Sequence, residues 1–299
     1  MVHAGRITLR IGFLLLITVI SLFAVYQGNF RVLGNDGTIV YIRADGSVDP
    51  QTASIASLDN ITYVLSGTIS DPIVVERDNI LLEGNGYAVE GSGIGRGLDL
   101  SGRANVTIQN SWICGFERGI WVFASKNVSV FNNTVSQNTW NGINLTNSTL
   151  NTILGNQISG NGQCGIYLGY LSHNNTVIEN NIANNQYGVY LWLSSENVFF
   201  HNNFFNNTKH VDETYSPRNT WDDGYPSGGN HWDDYLLLHP NASEVDGSGI
   251  WNEQYVVVSS NIDNYPLMNA YMIPEYPPTA MLIIMAVATV TVLILRKRL

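Results

Sequence analysis

The sequence predicts an all-β chain. The expected architecture is a right-handed, single-stranded parallel β-helix of about seven coils, with an apolar membrane-directed segment at each end. Three observations predict it. The dipeptide Gly-Ile or Gly-Val recurs at Gly119-Ile120, Gly142-Ile143, Gly165-Ile166 and Gly188-Val189, each 23 residues after the last, and Gly97-Leu98 stands 22 residues ahead of the first. After each glycine, apolar residues fall at alternate positions, which marks a strand with one buried face. Asparagine returns at one place in every unit. A single coil cannot cover its own apolar residues, so a fixed period of this length implies stacked repeats.

Taken from the N-terminus, Arg6 and Arg10 precede an apolar run from Ile11 to Val25, the form of a signal peptide or an uncleaved signal anchor over residues 1–27. Residues 28–60 read as a lead-in and cap, 61–211 as the β-helix repeats, and 212–274 as an acidic, Trp-rich C-terminal cap. Residues 275–299 read as a transmembrane anchor with a basic cytoplasmic tail. There, Thr279 to Leu295 carries no charge, and Arg296, Lys297 and Arg298 follow at once. The charge pattern at the two ends places the bulk of the chain outside the membrane and the C-terminus in the cytoplasm.

Within the repeats, the first strand of each coil turns inward Leu98/Leu100, Ile120/Val122, Ile143/Leu145, Ile166/Leu168 and Val189/Leu191. The second strand offers Val106/Ile108, Val128/Val130, Ile153, Val177 and Val198, and the third Ile113, Val135, Ile158, Ile182 and Phe204. Like residues then stack in columns about 4.8 Å apart. The recurring glycine is expected to supply positive φ at a tight corner. Asn110, Asn133, Asn156, Asn180 and Asn202 are expected to form a hydrogen-bonded ladder along the axis.

Composition narrows the function. The net charge is −10, and only 13% of residues are charged against 44% hydrophobic. An acidic, weakly charged surface is a poor partner for a phosphate backbone, which excludes nucleic acid binding. Cys114 and Cys164 are too few for a disulfide scaffold and read as buried thiols. Nine N-x-S/T sequons, at Asn60, Asn105, Asn127, Asn132, Asn144, Asn147, Asn174, Asn206 and Asn241, agree with a glycosylated external face.

The rungs resemble parallel β-helix repeats of the NosD type, also called the carbohydrate-binding and sugar-hydrolase-like repeat. The lead-in Tyr41-Ile-Arg-Ala-Asp-Gly-Ser-Val-Asp-Pro50, with Asn79-Ile-Leu-Leu-Glu-Gly-Asn-Gly86, is similar to archaeal membrane-anchored surface proteins of this group. Gly229-Asn-His-Trp-Asp-Asp-Tyr235 resembles the family's G-N-Y-W-S-D-Y signature, and Asn261-Ile-Asp-Asn-Tyr-Pro-Leu-Met268 its closing N-I-D-x-Y-P-L. The resemblance implies a β-helix fold over about residues 38 to 268. It also implies a membrane-system accessory role linked to copper as an alternative to surface binding.

Catalysis is not expected. Glycoside hydrolysis needs two carboxyl groups at a set separation. No Asp lies between Asp99 and Asp212, and Glu117, Glu179 and Glu196 fall in separate coils. A degenerate hydrolase or lyase is the third reading. The outward positions of the first strands instead carry Trp121, Phe123, Tyr167, Tyr190 and Trp192. Such rings suit the apolar faces of sugars, and a polysaccharide or a surface protein is the expected partner. Alternatively, the acidic 212–268 segment covers them as a lid.

No cofactor is expected, and two metals are weighed. Asp222, Asp223, Asp233, Asp234 and Asp246 cluster in the cap segment in a pattern compatible with Ca²⁺. Copper favours convergent His, Met and Cys. His173, His201, His210, His231 and His239 include no H-x-H pair, and Met268 and Met272 are the only external methionines.

Overall fold

The computed structural model describes residues 39–258 and 260–274. The expected N-terminal signal segment and the C-terminal anchor lie outside the described residues. Among those described, no helix is long and apolar enough to cross a membrane.

The described chain is a parallel β-solenoid of about seven turns, of the right-handed type that parallel crossovers adopt. Each turn contributes one strand to each of three sheets. The first sheet has nine strands, beginning with Val48–Asp49, Val40–Ile42 and Ile73–Val75 and ending with Tyr187–Trp192 and Lys209–Thr214. The second has eight, from Ile55–Ala56 to Val198–Phe200. The third has seven, from Ala88–Glu90 to His231–Trp232. The antiparallel strand pairs are confined to the ends: Val48–Asp49 on Val40–Ile42, Ile55–Ala56 on Thr62–Leu65, and Tyr255–Val258 on Asn261–Asp263. Parallel stacking begins as early as Val40–Ile42 on Ile73–Val75, inside the segment read as a lead-in. One helical turn, Tyr235–Leu238, sits in the cap.

The core is the set of columns that the repeat implies. Leu98, Ile120, Ile143, Ile166, Val189 and Val211 are successive register partners in the first sheet. Ile113, Val135, Ile158, Ile182 and Phe204 follow one another in the third. All are buried. Each such side chain removed from water contributes roughly 1.5–3 kcal/mol, and only stacking provides the cover.

The structure corrects three details. In the second sheet the partner of Val177 is Phe199, not Val198; Phe199 is fully buried and Val198 half-exposed. Adjacent apolar residues leave the inward one undetermined, because a one-residue slip exchanges the faces of a strand. Asn110 also lies outside the buried ladder, and Ser111 stands at that level, donating its N–H to Asn133 Oδ1 at 3.0 Å. Finally, Gly119, Gly142, Gly165 and Gly188 are not positive-φ corners. A Cβ at Gly142 would lie 2.7 Å from the Gly165 carbonyl oxygen and 2.8 Å from Asn161 Nδ2. These glycines are required by the closeness of the next coil.

Three buried amide ladders run along the axis. In one, the Nδ2 of Asn133, Asn156, Asn180 and Asn202 donates in turn to Oδ1 of Asn156, Asn180, Asn202 and Asn230 at 2.9–3.2 Å. A second links Asn138, Asn161, Asn185 and Asn207, and a third Asn151, Asn175, Asn197 and Asn219. Every link points its donor toward the C-terminal end.

The cap closes that end with rings. Trp232 is the register partner of Phe204 and stacks on it at 4.4 Å, Tyr255 stacks on Trp232 at 4.3 Å, and Trp221 stacks on Phe199 at 4.2 Å. Thus 212–268 prolongs the core columns and covers the last coil, the expected protection of a strand edge. It does not lie over the aromatic face as a lid.

Candidate functional site

Outward residues of the first sheet form three columns. At the strand start Arg118 faces Asn141, and Cys164 faces Tyr187. In the middle Trp121, Asn144, Tyr167 and Tyr190 are successive partners. At the end Phe123, Thr146, Gly169, Trp192 and Thr214 are. Asn144 therefore lies between the larger Trp121 and Tyr167, and Thr146 and Gly169 lie together between Phe123 and Trp192. This size pattern opens a cleft of 480 Å³, within the range of small-molecule sites.

Rings make its walls. Tyr167 and Tyr190 stack 5.9 Å apart at 4°. A Cβ on Gly169 would lie 2.3 Å from Tyr167 Cε1, so the absence of a side chain there lets the Tyr167 ring lie across that position. Tyr170 packs on Trp192 at 6.3 Å, and Trp140 carries the Arg118 guanidinium on its face at 4.0 Å. Polar groups lie among the rings. The Thr146 hydroxyl donates to Asn144 Oδ1 at 2.9 Å, and the Tyr190 and Thr214 hydroxyls share a hydrogen bond at 3.0 Å. Asn141 and Gln163 complete the lining.

Arg118 is the one charged side chain among the described lining residues. Burial lowers its pKa to about 10, while the Glu117 carboxylate 2.5 Å away raises it and Arg96 lowers it further. It stays cationic at neutral pH with its charge largely matched by Glu117. Burial pushes the Cys164 thiol up to about 12 and lifts the Tyr167 phenol well above its usual range. These groups stay protonated at neutral pH.

Of the five aromatic residues proposed from sequence, Tyr167, Tyr190 and Trp192 line the cleft. Trp121 does not: it is buried beneath Arg96, whose guanidinium carbon lies 4.3 Å from the ring, and Phe123 stacks beside it at 6.1 Å outside the cleft. Sequence reasoning missed Arg118, Trp140, Asn141, Gln163, Cys164, Tyr170 and Thr214. Trp140 and Gln163 are separated by one repeat, so the period itself was the available signal.

The acidic cluster does not converge as expected. Asp222 accepts hydrogen bonds from Asn264 and Gly224, Asp223 from Ser227, and Asp246 from the Tyr225 hydroxyl. Only Asp233 and Asp234 meet, and they meet at His210: its Nε2 lies 2.9 Å from Asp233 Oδ1 and 3.4 Å from Asp234 Oδ1. The five aspartates are held apart by separate partners and make no common oxygen cage. Among the sequons, Asn144 is buried in the cleft lining and cannot present its amide to a glycosylating enzyme. The other eight are exposed. Cys114 and Cys164, both buried and free, stand in different sheets.

The chain matches the family described as "periplasmic copper-binding protein (NosD)" over residues 34–237. No curated protein matches. Among solved structures, similarity extends to the periplasmic alginate epimerase AlgG, at 22% identity and TM-score 0.41, covering 47% of this chain and 35% of that one. The A-module of the mannuronan C-5 epimerase AlgE6 of Azotobacter vinelandii is similar at 20% identity and TM-score 0.41, covering 52% and 48%. PfbA, a surface adhesin of Streptococcus pneumoniae, is similar at 14% identity and TM-score 0.32, covering 52% and 59%. The chain thus spans less than two thirds of the length of each of these three.

Proposed function

From the premise that the chain belongs to the NosD family, we propose that it is a non-catalytic, extracytoplasmic solenoid that binds a neutral saccharide in the cleft of its first sheet. One observation carries the reading. Stacked Tyr167 and Tyr190, with Trp192 beside them, face a floor of amides and hydroxyls in a cleft whose single cation is already paired. Flat rings cover the C–H faces of a sugar, while the amides and hydroxyls answer its hydroxyl groups. No carboxylate lines the cleft among the described residues. The two-carboxylate chemistry of glycoside hydrolysis therefore has no groups there to run on. The family's periplasmic description supports a location outside the cytoplasm, and the apolar runs at 11–25 and 279–295 support attachment to the membrane.

The test is a glycan array and titration calorimetry with the purified full chain. Binding of a neutral oligosaccharide is expected, and loss of binding in Tyr190→Ala and Trp192→Ala places it in the cleft. Binding that survives both changes, or product release from any bound polysaccharide, overturns the reading.

The family description also names copper. Soft sulfur donors suit Cu(I), and imidazole suits Cu(II). Here Cys114 and Cys164 are buried in different sheets, and Met272 is fully outside the core. No sulfur set converges among the described residues. The group nearest to a metal donor set is His210 with Asp233 and Asp234.

A further inference from the structure

The His210 cluster sits where the last coil meets the cap. His210 belongs to the final strand of the first sheet, Lys209–Thr214, while Asp233 and Asp234 follow the last strand of the third. One imidazole nitrogen and two carboxylate oxygens within 4.8 Å of one another make a donor set that would suit a divalent first-row ion. Binding requires a lone pair on Nε2, and hence the hydrogen on Nδ1.

The amide ladder decides against that arrangement. Asn207 is the last asparagine of its ladder. Its Oδ1 accepts both the backbone N–H and the Nδ2–H of Asn185 at 3.0 Å, and its Nδ2 donates to the Ile182 carbonyl at 2.8 Å. The orientation of this amide is therefore set from below. Its remaining N–H faces His210 Nδ1 at 3.4 Å. The ring nitrogen takes the place that the next coil's Oδ1 would fill. Nδ1 can only accept, so the hydrogen resides on Nε2 and is donated to Asp233 Oδ1.

The carboxylates are engaged in the same way. Asp233 Oδ2 accepts the Asn206 N–H at 2.6 Å, and Asp234 accepts the Tyr255 hydroxyl at 3.0 Å. The other two ladders also end at acidic side chains of the last coil and cap. Asn230 donates its N–H to Asp263, and Asn219 passes through Asn261 to Glu213. Oriented amides leave partial positive charge at their donor end, as a helix does at its N-terminus. Hydrogen-bond acceptors belong there.

We propose that His210, Asp233 and Asp234 form a hydrogen-bonded latch that terminates the amide ladder, and that this latch is a latent metal site kept closed by the Asn207 amide. The family's copper is then not held by this cluster in the native chain. A single change would open the site. Asn207→Asp sets a carboxylate oxygen against Nδ1, draws the hydrogen there and frees Nε2 toward the two aspartates.

The experiment uses the full chain labelled with ¹⁵N-histidine. The two-bond ¹H–¹⁵N pattern of His210 is expected to be that of the Nε2–H tautomer. Excess Zn²⁺ should leave it unmoved, and Cu²⁺ should leave it unbroadened. In Asn207→Asp the pattern is expected to switch, and Zn²⁺ to bind with one-to-one stoichiometry at least tenfold more tightly than to the native chain. An Nδ1–H pattern in the native chain overturns the proposal. So does one equivalent of native Zn²⁺ or Cu²⁺ uptake that His210→Gln abolishes. Should Asn207→Asp fail to fold, the native spectrum decides. None of these readouts depends on saccharide binding, so this proposal and the cleft reading fail separately.

Discussion

Tyr167 and Tyr190 are register partners on adjacent coils, and their rings stack 5.9 Å apart and within 4° of parallel. The relationship follows from the solenoid itself. Strands that never reverse place equivalent positions one above the next, so two aromatic residues one repeat apart are brought within ring contact. Gly169 then lets Tyr167 lie across the sheet, and a ring-lined surface results.

The cleft separates binding from folding. Tyr190→Ala and Trp192→Ala should each weaken saccharide binding about tenfold, the loss of one ring contact worth roughly 1.4 kcal/mol. Trp121→Ala should leave the affinity of the folded protein unchanged but lower stability by about 3–5 kcal/mol, because that ring is buried. Calorimetric titration and urea unfolding of the three variants check both halves.

The repeated glycines answer to close approach rather than to backbone angle. Gly142→Ala brings a methyl against the Gly165 carbonyl and should destabilise by roughly 1–3 kcal/mol. Gly160 has φ of +64° and open space beyond it, so Gly160→Ala should cost only about 1 kcal/mol. Equal midpoints of urea unfolding for the two variants would contradict this.

Buried ladder asparagines should cost more than their outward neighbours. Asn180 is buried, donates to Asn202 and to the Ile153 and Ile178 carbonyls, and accepts from Asn156. Asn180→Ala strands these groups and should cost on the order of 2–3 kcal/mol. Asn181→Ala, at the next residue on the outer surface, should change stability by less than about 1 kcal/mol. Hydrogen exchange of the Asn156 amide, bonded to Asn180 Oδ1, reports the break directly.

Asp263 should give the cap a pH dependence. Its carboxyl is buried and accepts the Trp232 indole N–H and the Asn230 N–H, and burial raises its pKa to about 7 from 3.8. The folded state therefore holds a proton that the unfolded state releases, so this contribution is full below about pH 4 and is lost as pH rises through about 7. The stability difference between the native chain and Asp263→Asn should favour the native chain progressively as pH falls from 7 to 4. A difference that does not vary with pH would contradict the assignment.

The period of 23 residues, the alternation within it and the recurring amides were enough to determine the stacked coils, the core columns and the outward position of Tyr167, Tyr190 and Trp192. These are properties of translation along one axis, and a linear pattern records translation. What required the tertiary structure was everything set across the axis or at its end. Trp121 shares the outward column yet is buried under Arg96, because cover depends on a neighbouring coil's side chain. Phe199 rather than Val198 turns inward, because two adjacent apolar residues leave the choice to the register of pairing with the neighbouring coil. Arg118, Trp140 and Tyr170 join the cleft only once strand edges fold round it. The aspartates of the cap are adjacent in sequence but separate in space, and only Asp233 and Asp234 meet His210, where the last coil ends and the stacking symmetry is broken.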